Sequence, residues 1–220
     1  MPSIRAKYLA IFCSVLLCMP MAQATSKKNW KYSENSLTRT LPFAPGQSVW
    51  LDVNVGDVHI LSSLDDHPLQ LEIQGNHGVS SGEMQSWVKQ FDVNGNQANI
   101  RLDMPKRGNE SGKVTLYVPA STALNVNLGI GDLKIDDIAG DKDLSLNIGD
   151  LKLGGLNPSD YGIVKNDTGI GDVKDSVFSA KQSGWLGKSE TMTGSGEYHI
   201  RTHVGIGDIR LRKESLSGTD

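Results

Sequence analysis

The sequence predicts an all-β chain: a repetitive, β-solenoid-like stack of short strands with Gly-Asp corners, and one short capping helix near residues 82–91. Three observations predict it. The first is a recurring phrase. In Gly129-Ile130-Gly131-Asp132-Leu133-Lys134 a small residue stands three places before an acid, a glycine directly before it and a base two places after it. Variants begin at Asn54, Asn147, Gly169, Gly194 and Gly205, with acids Asp57, Asp150, Asp172, Glu197 and Asp208 and bases or potential bases His59, Lys152, Lys174, His199 and Arg210. Such internal periodicity takes precedence over any single site. The second is apolar spacing. Val126, Leu128 and Ile130 alternate, and then Leu133 and Ile135 continue on the opposite parity. A period of two marks a strand with one buried face. A one-residue slip reverses every later side chain unless the chain bends. A corner therefore belongs at Gly-Asp, where glycine enters backbone angles closed to other residues and Asp bonds nearby amides. On this reading Ile130 and Leu133 share the buried side. The third is composition: 24 glycines and 6% aromatic residues suit many turns joined by short strands.

Two architectures satisfy the slip. Gly-Asp can be the two-residue turn of a tight hairpin, or the corner of a coil that stacks on the next. From Asp132 to Asp150 is 18 residues, and to Asp172 a further 22. Steps near twenty suit one coil. The last step, 11 residues from Glu197 to Asp208, suits a hairpin or cap.

In chain order, residues 1–24 are expected to be a signal peptide. Arg5 and Lys7 precede an apolar run from Tyr8 to Met19, Pro20 breaks it, and Ala22-Gln23-Ala24 offers a small-x-small cleavage pattern. The run is short for a membrane anchor. Lipidation at Cys18 is the weaker alternative, because Leu17 precedes it. Both cysteines, Cys13 and Cys18, lie in this segment, so the processed chain would form no disulfide. Removing its two bases leaves 20 bases against 25 acids, a net charge of −5. That balance argues against a nucleic-acid partner. Residues 25–40, with Trp30 and Tyr32, are expected as a flexible tether.

Residues 41–118 form an N-terminal β section. It holds the first phrase, an alternating run at Leu69, Leu71 and Ile73, and a helix signal. Ser80 and Glu83 have capping-box spacing. Met84, Trp87, Val88 and Phe91 follow at helical spacing, which predicts a helix whose apolar face covers the end of the β core. Asn94-Gly95 is a hairpin turn leading into Ala98, Ile100 and Leu102. Residues 119–211 hold the dense repeats, broken by Gly154-Gly155, Asn157-Pro158 and the Gly184–Gly187 stretch around Trp185. Residues 212–220 are a polar tail.

Strand, Val118-Pro119, turn, alternating strand, Gly131-Asp132, strand and a second Gly149-Asp150 together resemble an exported bacterial β-strand-repeat family, known as "putative adhesin" or as a domain of unknown function. The resemblance covers roughly Leu41 to Leu211, and the repeated Gly-Asp corner is its most specific mark. It implies a repetitive all-β fold at the cell envelope. It brings no catalytic residues with it.

The corner residues Gly56, Asp57, Gly131, Asp132, Gly149, Asp150, Gly171, Asp172, Gly207 and Asp208 are expected to be structural. Equivalent residues on stacked strands approach to about 4.8 Å. A bare carboxylate column at that spacing would repel itself, and the base two places on offsets it. Three other readings compete. Lys134, Lys152, Lys174 and Arg210 could form a stripe facing an anionic polymer. The acids could bind calcium, although calcium β-rolls use tandem nonapeptides and a nearby lysine opposes the cation. Paired carboxylates could serve a β-helical carbohydrate-active enzyme, although the acids here belong to the repeat. His199 and His203 share a strand face about 13 Å apart, too far for one metal ion. The expectation is an exported, non-catalytic, adhesin-like interaction or scaffold module. It would be periplasmic or secreted, with no cofactor and no membrane span after cleavage. Its partner would be an envelope protein or surface polymer.

Overall fold

Alternation of buried and exposed residues runs through almost every strand. In the computed structural model, residues 31–33, 36–63, 67–75, 79–105, 112–178, 181–183 and 187–213 are described. Signal segment 1–24, Trp30, Trp185 and residues 214–220 of the tail lie outside them. The first half contributes β1 (Lys31–Ser33), β2 (Ser36–Leu41), β3 (Ser48–Val55), β4 (Asp57–Ser63), β5 (Leu69–Gln74), α1 (Ser81–Trp87), β6 (Val88–Asn94), β7 (Gln97–Leu102) and β8 (Lys113–Pro119). The second contributes β9 (Ala123–Ile130), β10 (Leu133–Asp136), β11 (Lys142–Ile148), β12 (Leu151–Gly154), β13 (Tyr161–Ile170), β14 (Val173–Asp175), β15 (Lys181–Ser183), β16 (Ser189–Thr193), β17 (Tyr198–Ile206) and β18 (Ile209–Leu211).

These strands form two nine-stranded mixed sheets, ordered β1-β2-β5-β8-β4-β10-β12-β18-β14 and β15-β16-β13-β17-β11-β9-β3-β7-β6. Neighbours are parallel at the centre, as in β4-β10-β12 and β3-β9-β11, and antiparallel toward three of the four edges, as in β2-β5, β13-β16 and β6-β7; at the fourth, β18-β14 is parallel. The inward residues of both sheets form one apolar core, with Leu51, Val126 and Leu146 from one side and Ile60, Leu133 and Leu153 from the other.

This arrangement corrects the solenoid-like expectation: the architecture is that of a β-sandwich. A solenoid stacks its coils in chain order. Here the unit β17–β18 lies between β11–β12 and β13–β14. After β12 the chain leaves one place empty, builds β13 and β14, doubles back through β15 and β16, and fills the place last. The local phrase fixes which way side chains face, and it carries no information on stacking order. The hairpin alternative also fails, because each corner joins strands of different sheets: β9 lies in one and β10 in the other.

Three further boundaries differ from expectation. Residues 31–33 and 36–40, expected within the tether, lie in β1 and β2, which pair with each other and, through β2, with β5. The helix ends at Trp87 rather than running to 91. Ser80 caps it through the reciprocal bonds with Glu83, and Met84 and Trp87 bury its apolar face. From Val88 the chain is instead held by the hairpin to β7, and Phe91 packs into the core from a strand. Thus the tertiary pairing overrides a helical spacing. Finally, Glu197 sits at a bend before β17 and makes no corner of the Gly-Asp type.

At the five real corners, glycines 56, 131, 149, 171 and 207 have φ between +131° and +147°, a region essentially confined to glycine. A Cβ on Gly149 would press on the backbone carbonyl of Gly131, the glycine of the adjoining rung. Gly149→Ala therefore combines backbone strain with a clash and is expected to destabilise by about 3 kcal/mol or more. In Gly82→Ala, inside α1, the new methyl meets only Ser80 Oγ at 3.9 Å, and a gain of about 0.5–1 kcal/mol is expected. Urea denaturation of both variants checks the contrast, and equal costs would contradict it.

Candidate functional site

The corners line up as a ladder along one edge of the sandwich. Parallel register places Val58, Leu133, Leu151, Ile209 and Val173 side by side, and the acids before them follow the spatial order Asp57, Asp132, Asp150, Asp208, Asp172. Each rung is tied to the next by backbone bonds. Gly131 N–H donates to Ile148 O at 3.0 Å and Leu133 N–H to Asp150 O at 2.9 Å, and the other rungs repeat this.

A second set of bonds uses the acids. Asp57 Oδ1 accepts from Asp132 N–H (3.1 Å), Asp132 Oδ1 from Asp150 N–H (3.1 Å), Asp150 Oδ1 from Asp208 N–H (3.1 Å) and Asp208 Oδ1 from Asp172 N–H (3.0 Å). In Asp132, Asp150 and Asp208 the other oxygen meets a cation from a neighbouring or the same rung. Lys152 Nζ lies 3.2 Å from Asp132 Oδ2, and Lys174 Nζ 3.2 Å from Asp208 Oδ2. Arg210 Nη2 reaches Asp150 Oδ2 at 3.7 Å and Asp208 Oδ2 at 3.4 Å. At Asp172, the last rung among the described residues, Lys188 Nζ stands 2.8 Å from Oδ1.

The proposed anionic-polymer residues Lys134, Lys152, Arg210 and Lys174 form one in-register row, which His59 continues at one end. Three of them, Lys152, Lys174 and Arg210, are held by ladder carboxylates. His59 bonds the buried Asp136 at 2.7 Å. The amide of Asp172, with Lys174 and Arg210, holds the Asp208 carboxyl below its ordinary range against an opposing effect of burial. A lowered acid pKa supplies stability that is lost as pH falls through the folded value. Among the described residues, no three metal-ligating side chains converge.

The apolar residue before each corner is not buried as expected. Leu133 is fully buried, but Ile130, Ile148, Ile206 and Ile170 are 44%, 45%, 48% and 57% exposed. Pairing places them side by side in that order, after the partly buried Val55. Three of the residues preceding them are Gly129, Gly205 and Gly169. A Cβ on any of these would approach a carbonyl of the adjoining strand. The rungs thus approach closely here; Ile148, which follows Asn147, is as exposed as Ile130, which follows Gly129, so the exposure goes with the corner and not with the preceding residue. The result is a convex apolar ridge beside the charge ladder.

Two buried polar groups lie apart from the ladder. Lys142 takes an inward position in register with Leu124 and Ile200. It is 2% exposed. Its Nζ donates to Gly140 O (2.8 Å) and Tyr161 Oη (2.7 Å) and lies 4.9 Å from the Tyr161 ring centroid. Tyr161 O–H donates in turn to Ile138 O. Burial lowers the Lys142 pKa to about 7, despite Asp141 and Asp160 nearby, and raises that of Tyr161. Across β16, β13 and β17, Asn166 donates to Glu190 Oε2 (3.1 Å) and accepts from Thr202 O–H (2.8 Å). Burial raises the Glu190 pKa, and the Asn166 bond opposes the rise. Reading the sequence for charges missed Lys142. Its even spacing with Leu144 and Leu146 was the available signal.

No family model matches the chain, and no curated protein matches it. Solved structures do. A "putative cell adhesion protein" from Clostridium sporogenes aligns with TM-score 0.52 at 14% identity, over 82% of this chain and 99% of that one. A "putative adhesin" from Bacteroides fragilis aligns at TM-score 0.28 and 15% identity, over 81% and 98%. A "putative lipid binding protein" from Parabacteroides distasonis aligns at TM-score 0.28 and 13% identity, over 82% and 95%. The first shows a shared fold; the other two are too distant in shape to bear on this chain.

Two outcomes follow. Asp150→Asn keeps an oxygen acceptor for Asp208 N–H and loses an exposed ion pair, a cost of about 0–1 kcal/mol. Asp150→Ala strands that amide, a cost of about 1–3 kcal/mol. Equal losses in denaturation would show that charge, rather than the amide bond, dominates. For Lys142, the folded pKa lies below the unfolded one. The unfolded chain therefore binds the extra proton between about pH 7 and pH 10.5, and stability rises with pH across that window. Lys142→Met is expected to stabilise the fold by about 1–4 kcal/mol near pH 7, with the gain shrinking toward pH 10.5. A gain independent of pH would contradict this.

Proposed function

We propose that this chain is an exported, non-catalytic, adhesin-like interaction module of a bacterial envelope, and that it meets its partner along the corner edge of the sandwich. The observation that carries this reading is the row of four half-exposed isoleucines, Ile130, Ile148, Ile206 and Ile170. Contiguous exposed apolar side chains rimmed by polar ones mark interaction sites. The ladder acids support the non-catalytic part. Each of Asp132, Asp150 and Asp208 spends one oxygen on a backbone amide and the other on a cation. A group so engaged is poorly placed for proton transfer to a substrate. The signal-like residues 1–24 support export, with cleavage near Ala24 and a periplasmic or secreted product. Among the described residues no helix is long and apolar enough to cross a membrane. The shared fold with the Clostridium neighbour is consistent with the adhesin-like class.

The test measures retention of the purified protein on isolated cell envelopes. The double variant Ile148→Ser/Ile206→Ser changes only exposed positions and is expected to melt like the parent while binding at least tenfold less. Hydrolase or lyase activity on envelope glycans, abolished by Asp150→Asn in a protein that remains folded, would overturn the reading.

A further inference from the structure

Resting on the reading above, we infer that the isoleucine ridge is a peripheral lipid-contacting edge, seated on the interfacial region of a bilayer. The ridge is narrow. Ile130 to Ile170 spans three rung spacings, roughly 14 Å at strand separation. The four isoleucines expose only part of their surface, a few hundred Å² at most. A stable protein–protein interface needs about 800 Å² per partner, so the ridge alone does not supply a dimer contact. It is also convex, because each Ile-Gly-Asp lies where the chain passes from one sheet to the other. A convex edge needs a recess in a protein partner, whereas a fluid lipid interface adapts to it.

The flanking charges fit the same occupant. The acids Asp132, Asp150, Asp208 and Asp172 stand one residue beyond the intervening glycines, paired to Lys152, Arg210, Lys174 and Lys188. The band beside the ridge is therefore locally balanced. Balanced pairs meet the mixed charges of lipid headgroups without net repulsion. The carboxylates of Asp132, Asp150 and Asp208 also keep their amide donors from within the fold, so contact with the headgroup layer leaves those bonds intact. On the other side, Gly129, Gly205 and Gly169 add no side chain, and Asn147 before Ile148 adds a short polar one. Apolar contact rather than charge attraction sets the affinity, so binding does not weaken as salt rises.

The experiment uses the protein as isolated from cells and vesicles of phosphatidylethanolamine and phosphatidylglycerol. It compares the parent, Ile148→Ser/Ile206→Ser and Ile148→Trp. Three results are expected. The parent co-sediments at low and high salt, and the serine variant loses at least tenfold in binding. In Ile148→Trp, vesicle addition shifts the emission of the introduced indole to the blue, beyond any change in the parent, since tryptophan favours the membrane interface. The inference is overturned if the emission of Ile148→Trp responds to vesicles no more than that of the parent. It is equally overturned if binding disappears at high salt and ignores the serine changes. A concentration-dependent dimer abolished by the serine changes would assign the ridge to a second copy instead. Loss of envelope retention in the serine variant without vesicle binding by the parent would defeat the lipid assignment alone and leave the interaction-module reading standing.

Discussion

One hydrogen bond, repeated along an edge, constrains the rest of the molecule: an aspartate carboxylate accepts the backbone N–H of the aspartate on the next rung. Bonds to a charged acceptor contribute more than neutral ones, about 1.5–3 kcal/mol. The geometry requires the rungs to stand one strand spacing apart with their glycines at positive φ. Once it is met, the two sheets are joined at a fixed place in every rung, and core residues such as Leu133, Leu151 and Ile209 fall into register. The ion pairs to Lys152, Lys174 and Arg210 are secondary. They are partly exposed, and such pairs contribute little by themselves. Their effect is to keep a column of carboxylates from repelling itself.

Much of this was legible in the residues. The small-x-Gly-acid-x-base spacing marked the five corners and the parity change across them, and the Asn94-Gly95 hairpin and Ser80/Glu83 cap were readable from their turn chemistry. What was not legible has physical causes. Stacking order depends on which empty place a strand can reach, so nothing local revealed that Asp208 lies between Asp150 and Asp172. Helical spacing at Met84, Trp87, Val88 and Phe91 could not distinguish a helix running to 91 from a helix followed by a buried strand. At the candidate site, the spacing suggested an acid column offset by a basic one, but not that each carboxylate accepts the amide of the next rung. The isoleucines escaped notice because alternation with Leu128 suggested burial, while each stands at the corner where the chain passes from one sheet to the other.

The inserted unit gives the C-terminal strands a particular role. β17 pairs with both β11 and β13, and β18 with both β12 and β14. Without them, each sheet would have a gap between those neighbours. The pairing is long-range, which favours slow assembly, and it places Asp208 where three charged or amide donors meet. The exposed ridge is continuous only when this unit is seated, since Ile206 bridges Ile148 and Ile170. Folding and the surface offered to a partner therefore depend on the same strand.

Native-state hydrogen exchange at the aspartate amides tests the ladder most directly. These N–H groups lie in surface corners, where an ordinary turn exchanges by local fraying. If the carboxylate bonds hold the rungs, the amides of Asp132, Asp150 and Asp208 will exchange only through global unfolding, at the rate of core amides such as Leu146. Exchange at the rate of exposed turns, with the core still protected, would contradict the ladder as the organising constraint.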